Sequence, residues 1–457
     1  MSSRGEIVII GAGLVGSLLA YILTKKGFEV SVFERYGDIR QIPSLGRSIN
    51  LVITSRGLRA CDAIGGGLRE ELLGLAVPVT GRVLHQMDGS VQFQRYGKDD
   101  SECNYSISRY ELNKFLIQKA EESGARLFFG HALDVDGTNF GSSSANGEGG
   151  DVGSVLAFEV MAGGGAKEKK FVRCSCPVLG CDGGGSRVRY AMRNQGLTEF
   201  SESLLGAETG HTHGYKEMLF PKGSGLVSHG LHIWPRNTHM LMALANLDGS
   251  MTGTLYMDSD GGSESFDELK TPESAKVFFE KYYSEAIPMI GGVERAIEQM
   301  ISNPNGLLGT VRTSKWHALG RVVLLGDAAH AIVPFFGQGM NSGFEDLGPL
   351  HDTLEACLAG QTQMDSADAS KWAAAFAEYS DARFTNGNAI ADMAIENFEE
   401  MRDSVSDRSF LLLKRVENRI ENHFGAKFRS RYAMVCYGGD GNVSYRNAFI
   451  LGKIQVT

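Results

Sequence analysis

Proline, cysteine and positive charge are all scarce in this sequence, and each shortage excludes a class of protein. Ten prolines in 457 residues are too few for a collagen-like or proline-rich chain. Seven cysteines, an odd number, are too few for a disulfide scaffold of this length, so a reducing, intracellular compartment fits best. The 45 Lys and Arg residues are outnumbered by 54 Asp and Glu residues. The resulting formal charge of −9 argues against a nucleic-acid partner.

Long apolar runs are also scarce. The uncharged stretch 7–24 lacks the basic start and small-residue cleavage site of a signal peptide. Residues 443–457 contain only the short apolar run 448–451, far below the ~18 residues that a membrane span requires. We therefore expect a soluble chain without a transmembrane segment. The segment 410–415 (FLLLKR) is the one candidate for a helix lying on a membrane surface, although a buried helix is the preferred interpretation.

Glycine, in contrast, is abundant, with 58 residues, or about 13% of the chain against a usual ~7%. Gly11, Gly13 and Gly16 form a GxGxxG unit between a predicted strand and a predicted helix, and Glu34 ends the next predicted strand. In dinucleotide-binding βαβ units these glycines allow a tight turn, approach of a pyrophosphate and close helix packing, while the acid accepts a ribose hydroxyl. The pattern predicts a Rossmann-like α/β domain that binds the ADP part of a dinucleotide.

Two further strands are predicted to end in glycine-rich loops that carry an aspartate. Asp182 stands in the segment 178–189 (VLGCDGGGSRVR), which leads into a basic helix start. Asp327 stands in the segment 324–341, where a loop bounded by proline and glycine leads to a helix near Asn341. Such loops present backbone N–H groups to an anion or a ring carbonyl, so together with the first unit they indicate one extended cofactor. An ordinary strand-loop-helix junction is the alternative for the segment 324–341.

The rest of the pattern predicts a second sheet and a helical end. Residues 82–96 alternate between apolar and polar side chains around an Asp-Gly pair, and residues 225–257 alternate in the same way. This alternation is typical of antiparallel strands. Residues from 371 to about 424 are mostly helical in pattern. The Gly- and Ser-rich stretch 139–154 is interpreted as a surface loop without chemistry.

In this order, the GxGxxG unit with its acid and the two aspartate loops resemble the flavin-dependent aromatic hydroxylases of the p-hydroxybenzoate hydroxylase fold. Within that group the chain resembles the kynurenine 3-monooxygenase family over about residues 6–436. The likeness is carried by the segments 46–51 (GRSINL), 106–109 (SISR), 213–217 (HGYKE), 231–237 (LHIWPRN) and 326–341 (GDAAHAIVPFFGQGMN). Two features depart from the family: the 139–154 stretch looks like an insertion, and the chain ends at Thr457 without the hydrophobic tail of membrane-bound members.

The resemblance implies an enzyme that binds FAD, takes electrons from NADPH and hydroxylates L-kynurenine with O₂ through a flavin C4a-hydroperoxide, on the route of tryptophan catabolism toward NAD. Together with the motif residues named above, the resemblance gives the following residues expected to bind the cofactor: Gly11, Gly13, Gly16, Glu34, Arg109, Asp182, Asp327, Gly339, Met340 and Asn341. The implied substrate set is Arg82 and Tyr96 for the carboxylate, Asn397 and Tyr432 to close the site, and Pro334 and Phe335 beside the ring. No residue is assigned as acid or base, because the chemistry belongs to the flavin.

The hairpin register tests whether Arg82 and Tyr96 act together. A two-residue turn at Asp88-Gly89 would place Arg82 opposite Arg95 and leave Tyr96 on the other face. A three-residue connection over 88–90 would place Arg82 directly opposite Tyr96. The functional interpretation therefore predicts the three-residue connection, while a solvated surface arginine beside a packed tyrosine is the alternative.

The remaining candidates are weighed in the same way. Asn397 shares a helix face with apolar residues, so its amide points inward and needs a partner, which would be either a ligand or the protein itself. Tyr432 lies in a loop-like segment whose face the pattern does not fix. Cys174 and Cys176 share a strand face without a second ligand pair, so we expect no metal site. His330 is expected to be a packed or flavin-side loop histidine.

Three domains are expected. They are a discontinuous FAD-binding domain over 1–75, 101–195 and 305–360, an antiparallel substrate-binding sheet over 76–100 and 196–304, and a helical cap over 361–457. We expect a cytoplasmic protein, with the cytosolic face of the mitochondrial outer membrane as the alternative if a C-terminal tail is missing, and a homodimer is compatible with the sequence. Two other functions stay open: a hydroxylase of another aromatic acid, and a non-catalytic protein that uses FAD for structure or sensing.

Overall fold

The computed structural model of the chain describes residues 4–42, 49–97, 102–141, 153–161, 167–262, 264–358, 369–400, 416–417, 419–421, 423–438 and 443–456. The strands in these ranges are β1 (Glu6–Ile10), β2 (Glu29–Phe33), β3 (Asn50–Ile53), β4 (Val77–Val79), β5 (Gly81–His85), β6 (Val91–Arg95), β7 (Asn104–Ser108), β8 (Arg126–Phe128), β9 (His131–Leu133), β10 (Ser154–Met161), β11 (Lys167–Cys174), β12 (Val178–Gly180), β13 (Phe200–Leu204), β14 (His213–Phe220), β15 (Gly230–Arg236), β16 (His239–Ala245), β17 (Met251–Asp258), β18 (Gly306–Leu307), β19 (Gly309–Thr313), β20 (His317–Ala318) and β21 (Val322–Leu324). The helices are α1 (Leu14–Lys25), α2 (Ser55–Ile64), α3 (Leu68–Leu73), α4 (Arg109–Glu122), α5 (Arg187–Asn194), α6 (Pro272–Tyr282), α7 (Ile287–Ile290), α8 (Val293–Ser302), α9 (Asp327–His330), α10 (Gly339–Leu358), α11 (Ala369–Glu399), α12 (Arg431–Tyr437) and α13 (Tyr445–Val456).

A six-stranded sheet carries the cofactor loops. Its order is β20-β21-β12-β1-β2-β8, and its strands from β21 to β8 run parallel. The predicted βαβ unit is confirmed, because α1 connects β1 to the parallel strand β2. β1, β12 and β21 are neighbours, so the three loops that follow them leave the same edge of the sheet. This edge is where ligands bind in open parallel sheets.

A seven-stranded sheet of order β18-β14-β17-β16-β15-β5-β6 forms the second layer. All of its neighbouring pairs are antiparallel except β5 and β15. One face packs on an apolar cluster that includes residues of α6, α7 and α8, and the other face packs on a cluster shared with the loop 333–336, α11, α12 and α13. The predicted fold class is confirmed: an α/β cofactor domain, a sheet that is antiparallel apart from one pair, and a helical C-terminal region.

The hairpin formed by β5 and β6 corrects the predicted register. Arg82 lies opposite Gln94, rather than opposite Tyr96 or Arg95. The loop is three residues long but consists of residues 87–89, because Gly89 takes the left-handed conformation at φ +81° and the next pair is Gln86 with Ser90. The register differs by two residues from the predicted three-residue connection, so the side chains of Arg82 and Tyr96 still share one face of the sheet.

Helices dominate the described residues of the C-terminal part, as predicted. The long helix α11 runs through 31 residues, and the shorter helices α12 and α13 follow. The segment 410–415 lies outside the described residues, as do residues 46–48 and 142–152. Within the described ranges, no helix combines the length and the apolar character that crossing a membrane requires. In the same ranges, no three His, Cys, Asp or Glu side chains come close enough together to hold a metal ion.

Candidate active site

A cavity of about 520 Å³ opens at the carboxyl edge of the six-stranded sheet. Glycines of the loop after β1, the segment after β2, the start of α4 and the loops after β12 and β21 all contribute to its walls. The walls include six of the predicted cofactor residues, namely Gly11, Gly13, Glu34, Arg109, Asp182 and Asp327. The structure therefore brings residues from distant parts of the sequence together around one elongated space.

The three glycines of the first loop meet different steric limits. A Cβ atom at Gly11 would lie 2.6 Å from the carbonyl oxygen of Cys181, and one at Gly16 would lie 2.0 Å from the carbonyl oxygen of Gly11. Both positions thus require close approach of two backbone segments. A Cβ atom at Gly13 would meet no protein atom within 4 Å, and Gly13 lines the cavity immediately before α1. The unpaired N–H groups at this helix start suit a phosphate group, so the loop fits the pyrophosphate of FAD.

Glu34 stands at the end of β2 and holds the glycine loop in place. Its Oε2 accepts a hydrogen bond from the backbone N–H of Ala12 at 2.8 Å, and its Oε1 accepts one from Tyr36 at 2.9 Å. From α4, the Asn113 amide donates to the Ala12 carbonyl at 2.9 Å. Each carboxylate oxygen keeps a further lone pair, so Glu34 is chemically suited to accept a ribose hydroxyl.

Asp182 and Asp327 differ in what their carboxylates contact. The Asp182 carboxylate accepts from the Ser186 hydroxyl at 2.5 Å and from the Val188 backbone at 3.1 Å, so it shapes its own loop. Burial raises the pKa of Asp182. Asp327 begins α9 and is exposed to the cavity, and Arg109 begins α4 in the same exposed way. The two charged groups are therefore accessible to a ligand bound in the cavity.

The other predicted cofactor residues lie at the start of α10. Gly339, Met340 and Asn341 are not among the described residues that line the cavity. The Asn341 side chain donates to the carbonyls of Val52 at 2.7 Å and Gly337 at 2.8 Å, and accepts from the Thr54 backbone at 2.9 Å. Its amide therefore fastens the loop before α10 to the end of β3. At the start of α10, the backbone N–H groups of the first turn are the groups that can bind a ligand.

Arg82, Tyr96 and Tyr432 form a second cluster, called here the substrate cluster after the role predicted for these residues. The guanidinium carbon of Arg82 lies 5.6 Å from the ring centre of Tyr96 and 5.0 Å from that of Tyr432. The two rings stack with centroids 5.1 Å apart. The Nε atom of Arg82 is buried without a hydrogen-bond partner. Burial raises the pKa of both tyrosines, so their hydroxyls stay neutral and able to donate.

The loop 334–337 joins the substrate cluster to α11. The Phe336 ring lies 6.0 Å from the Tyr432 ring, and the Phe335 ring lies 4.6 Å from that of Phe398 on α11. Asn397 is 5% exposed and donates a hydrogen bond of 2.8 Å to the Phe335 carbonyl. Its inward amide thus has a partner in the protein and holds the loop. Pro334 is exposed at the start of the loop.

Asn104 is a residue of this region that the sequence patterns did not single out. It is 2% exposed on β7, and its amide nitrogen donates to the Tyr432 hydroxyl at 3.0 Å. β7 pairs with β4, which directly precedes the strand of Arg82. No local pattern marks this contact, because it joins residues far apart in sequence.

A buried acid behind the third loop was also missed. Asp346 on α10 accepts from the Gly326 backbone at 3.0 Å, from His330 at 2.7 Å and from Arg383 at 2.8 Å. Burial by itself would raise the pKa of Asp346, but His330 and Arg383 lower it below its usual value. His330 is therefore a packed histidine at the end of α9, rather than in a loop as predicted, and Asp346 fixes the turn that presents Asp327. The sequence does contain one sign of this buried acid, because Glu345 and Asp346 stand next to each other in an otherwise apolar part of α10.

Comparisons with known proteins agree with this geometry. A family model described as an FAD binding domain matches residues 4–207 and 264–376. The kynurenine 3-monooxygenase of Myxococcus xanthus is 40% identical over 99% of this chain and 89% of its own length. That of Christiangramia forsetii is 35% identical over 100% of this chain and 93% of its own length.

Solved structures share the fold at lower sequence identity. Pseudomonas aeruginosa PqsL, crystallised with 2-aminobenzoylacetate, superposes with a TM-score of 0.64 at 20% identity, covering 89% of this chain and 97% of its own. A tetrameric form of 2-methyl-3-hydroxypyridine-5-carboxylic acid oxygenase superposes with a TM-score of 0.63 at 16% identity, covering 90% and 96%. Identity of 35–40% over nearly the whole length is what decides the family. The chain belongs to the kynurenine 3-monooxygenase family of FAD-dependent aromatic hydroxylases.

Proposed function

We propose that this protein hydroxylates L-kynurenine at ring position 3, consuming one NADPH, one proton and one O₂ and releasing 3-hydroxy-L-kynurenine, NADP⁺ and water. The observation that carries the proposal is Arg82, a cation that lies beside the stacked rings of Tyr96 and Tyr432 with its Nε buried and unpartnered. A half-buried arginine whose Nε is buried and free to donate a hydrogen bond is suited to a carboxylate. Kynurenine carries such a carboxylate on the side chain of an aromatic amine.

The substrate cluster would bind the amino-acid end of the substrate. The planar guanidinium of Arg82 offers two parallel N–H groups to a carboxylate, which fixes both its position and its orientation. The neutral hydroxyls of Tyr96 and Tyr432 add donors, and their rings shield the ion pair from water. We further propose that Asn397 acts by holding the Phe335 carbonyl, so that Phe335 and Pro334 border the substrate ring.

FAD, when bound and reduced by NADPH, supplies the activated oxygen atom that is transferred to the ring. The residues proposed to hold it are Gly11, Gly13, Gly16, Glu34, Arg109, Asp182, Asp327, Gly339, Met340 and Asn341. The protein's own part is to keep the reacting centre dry. The Phe335 ring lies 5.2 Å from the Tyr256 ring and 4.6 Å from the Phe398 ring, so aromatic side chains surround this part of the loop.

The proposed domain limits follow the two sheets except at β18, which pairs with the seven-stranded sheet but lies within 305–360. We propose an FAD-binding domain over 1–75, 101–195 and 305–360, a substrate-binding domain over 76–100 and 196–304, and a helical cap beyond. Membership of β5, β6 and β14 to β17 in one sheet supports the division.

We also propose a cytoplasmic location and a homodimer. Recovery in the supernatant after high-speed centrifugation and a mass of two chains by light scattering are the expected results.

Isotope labelling tests the proposed reaction. The purified protein, loaded with FAD, is incubated with L-kynurenine and NADPH under ¹⁸O₂, and the products are analysed by mass spectrometry. The expected product is 3-hydroxykynurenine with one ¹⁸O atom, formed in proportion to the NADPH consumed. Parallel incubations with anthranilate and 4-hydroxybenzoate serve as controls. Hydroxylation of one of these acids without any hydroxylated kynurenine would contradict the proposal.

A further inference from the structure

The helix that carries Tyr432 is short, and its position depends on what it rests against. α12 contains seven residues, and Tyr432 is the second of them. An isolated helix of this length is not stable in water, because the cost of nucleation exceeds the gain from a few hydrogen bonds. The location of the Tyr432 ring is therefore set by the contacts that dock α12 onto the rest of the protein.

Side chains of α2 hold the C-terminal end of α12. Arg56 donates to the carbonyls of Met434, at 2.9 Å, and Val435. Its neighbours add two more contacts, Ser55 to the Cys436 carbonyl at 3.1 Å and Arg59 to the Tyr437 carbonyl at 3.2 Å. The last four carbonyls of a helix have no partner inside it, and positive charge is favourable there. α2 thus provides a partner for each of the last four carbonyls of α12.

Arg56 is the centre of this contact. It is 1% exposed, and its guanidinium also donates to the carbonyl of Val443, which precedes α13. Its face lies 4.0 Å from the ring centre of Tyr445, and its charge is balanced by Glu345 at 2.7 Å. Glu345 in turn pairs with Arg383 at 2.9 Å. The Arg56 side chain is therefore held from several directions, and a displacement of its guanidinium group would displace α12.

We propose that Arg56 is a positioning residue for the substrate, which it influences by fixing α12 and hence the ring of Tyr432. This inference rests on the proposed function, because it assigns Tyr432 to the substrate cluster. Arg56 itself contacts backbone carbonyls, Glu345 and Tyr445, and none of these belongs to that cluster. The planar fork reaches three carbonyls at once, which the single ammonium of a lysine does not reproduce.

The test compares Arg56→Lys with the wild type by titrating the oxidised, FAD-loaded protein with L-kynurenine and following the flavin absorbance. The expected result is a dissociation constant raised at least tenfold with the FAD content unchanged. Arg69→Lys is the matched control, since Arg69 forms an exposed ion pair with Asp62 of α2 at 2.5 Å. Its dissociation constant is expected to stay within twofold of the wild type.

A double-mutant cycle separates positioning from general loss of structure. In a Tyr432→Ala background, Arg56→Lys is expected to change the dissociation constant by less than twofold, because its effect passes through the Tyr432 side chain. A tenfold effect in both backgrounds, or none in the wild-type background, would overturn the inference. Wild-type protein that fails to bind kynurenine would overturn the proposed function together with it.

Ser55→Ala provides a milder variant if Arg56→Lys does not retain FAD. It removes one hydroxyl contact to the same helix end and leaves the buried charges in place. A threefold or greater rise in the dissociation constant for kynurenine is the expected result, again with full FAD content. An unchanged dissociation constant for Ser55→Ala would overturn the inference in that case.

Discussion

The guanidinium carbon of Arg82 lies 5.0 Å from the ring centre of Tyr432, although one residue belongs to an early hairpin and the other to a C-terminal helix. Tyr96 completes the arrangement by stacking on Tyr432. The hairpin alone would leave Arg82 with one aromatic neighbour. Docking of the C-terminal helices therefore adds the second aromatic ring beside Arg82 and partly encloses its guanidinium.

Replacing Arg82 by alanine should weaken kynurenine binding by well over tenfold. Hydrogen bonds to a charged partner contribute roughly 1.5–3 kcal/mol each, and a carboxylate would lose two of them. FAD content should be unchanged, because Arg82 is not among the residues that line the cofactor cavity. Arg95→Ala, an exposed position on the same hairpin, is the control. Equal kynurenine affinity in both variants would return Arg82 to the role of a surface residue.

Two glycine substitutions should separate loss of cofactor from loss of fold. Gly13→Val places a side chain in open space within the cavity, so the protein should fold but contain little FAD. Gly11→Ala forces a contact of 2.6 Å with the Cys181 carbonyl at a φ of +103°, so the apoprotein itself should be destabilised. Absorbance at 450 nm and thermal unfolding of the apoproteins measure the two effects. Full FAD content in Gly13→Val would mean that the pyrophosphate lies elsewhere.

Asp346→Asn should destabilise the protein by about 3–5 kcal/mol, the usual effect of breaking a buried ion pair. Asp346 receives hydrogen bonds from three donors, whereas asparagine offers only one acceptor oxygen. The substitution also removes a negative charge that balances the buried positive charge of Arg383. Urea unfolding gives the free energy, and release of FAD reports on the loop of Gly326. Asp392→Asn is the control, because its pair with Arg312 is 34–45% exposed and should contribute less than about 1 kcal/mol. Equal losses in both variants would remove Asp346 from this role.

Acid should destabilise the seven-stranded sheet through His85. Burial, with smaller contributions from His232 and Arg236, lowers the pKa of His85 to about 4. In the unfolded chain the pKa of histidine is about 6.5, so between pH 6.5 and 4 the unfolded state binds a proton that the folded state does not. The contribution of neutral His85 to the free energy of unfolding is therefore fully present above pH 6.5. It is lost progressively as the pH decreases toward 4.

Thermal unfolding at pH 7.5 and pH 5 measures this effect. His85→Gln should show a smaller decrease in the melting temperature between the two pH values than the wild type. The melting temperature of His229→Gln, a substitution at an exposed position, should decrease by as much as that of the wild type. The same decrease in all three proteins would show that His85 does not contribute to the acid sensitivity.

Local patterns predicted the parts of the fold that depend on local chemistry. In the GxGxxG unit, Gly11 and Gly16 are needed where two backbone segments touch, so at these positions sequence and structure correspond closely. The hairpin was predicted, but its register was wrong by two residues. Asp88 and Gly89 indicate a turn without indicating how many residues precede them in the loop, and Met87 belongs to it. Because the error was an even number, the shared face of Arg82 and Tyr96 was still predicted correctly.

Contacts between distant segments could not be predicted in this way. Asn104 meets Tyr432, and Arg56 meets α12, only because helices at the end of the chain pack on elements near its start. Each of these side chains has an ordinary local sequence around it. Long-range packing decides their roles, and no periodicity or spacing in one segment records what the other segment contributes.

NADPH oxidation measured with and without L-kynurenine, together with quantification of 3-hydroxykynurenine, tests the central claim most directly. The predicted result is slow oxidation by the protein alone, strong stimulation by kynurenine, and close to one 3-hydroxykynurenine formed for each NADPH consumed. Stimulation without hydroxylated product, or the same rate of NADPH oxidation with and without kynurenine, would contradict the account.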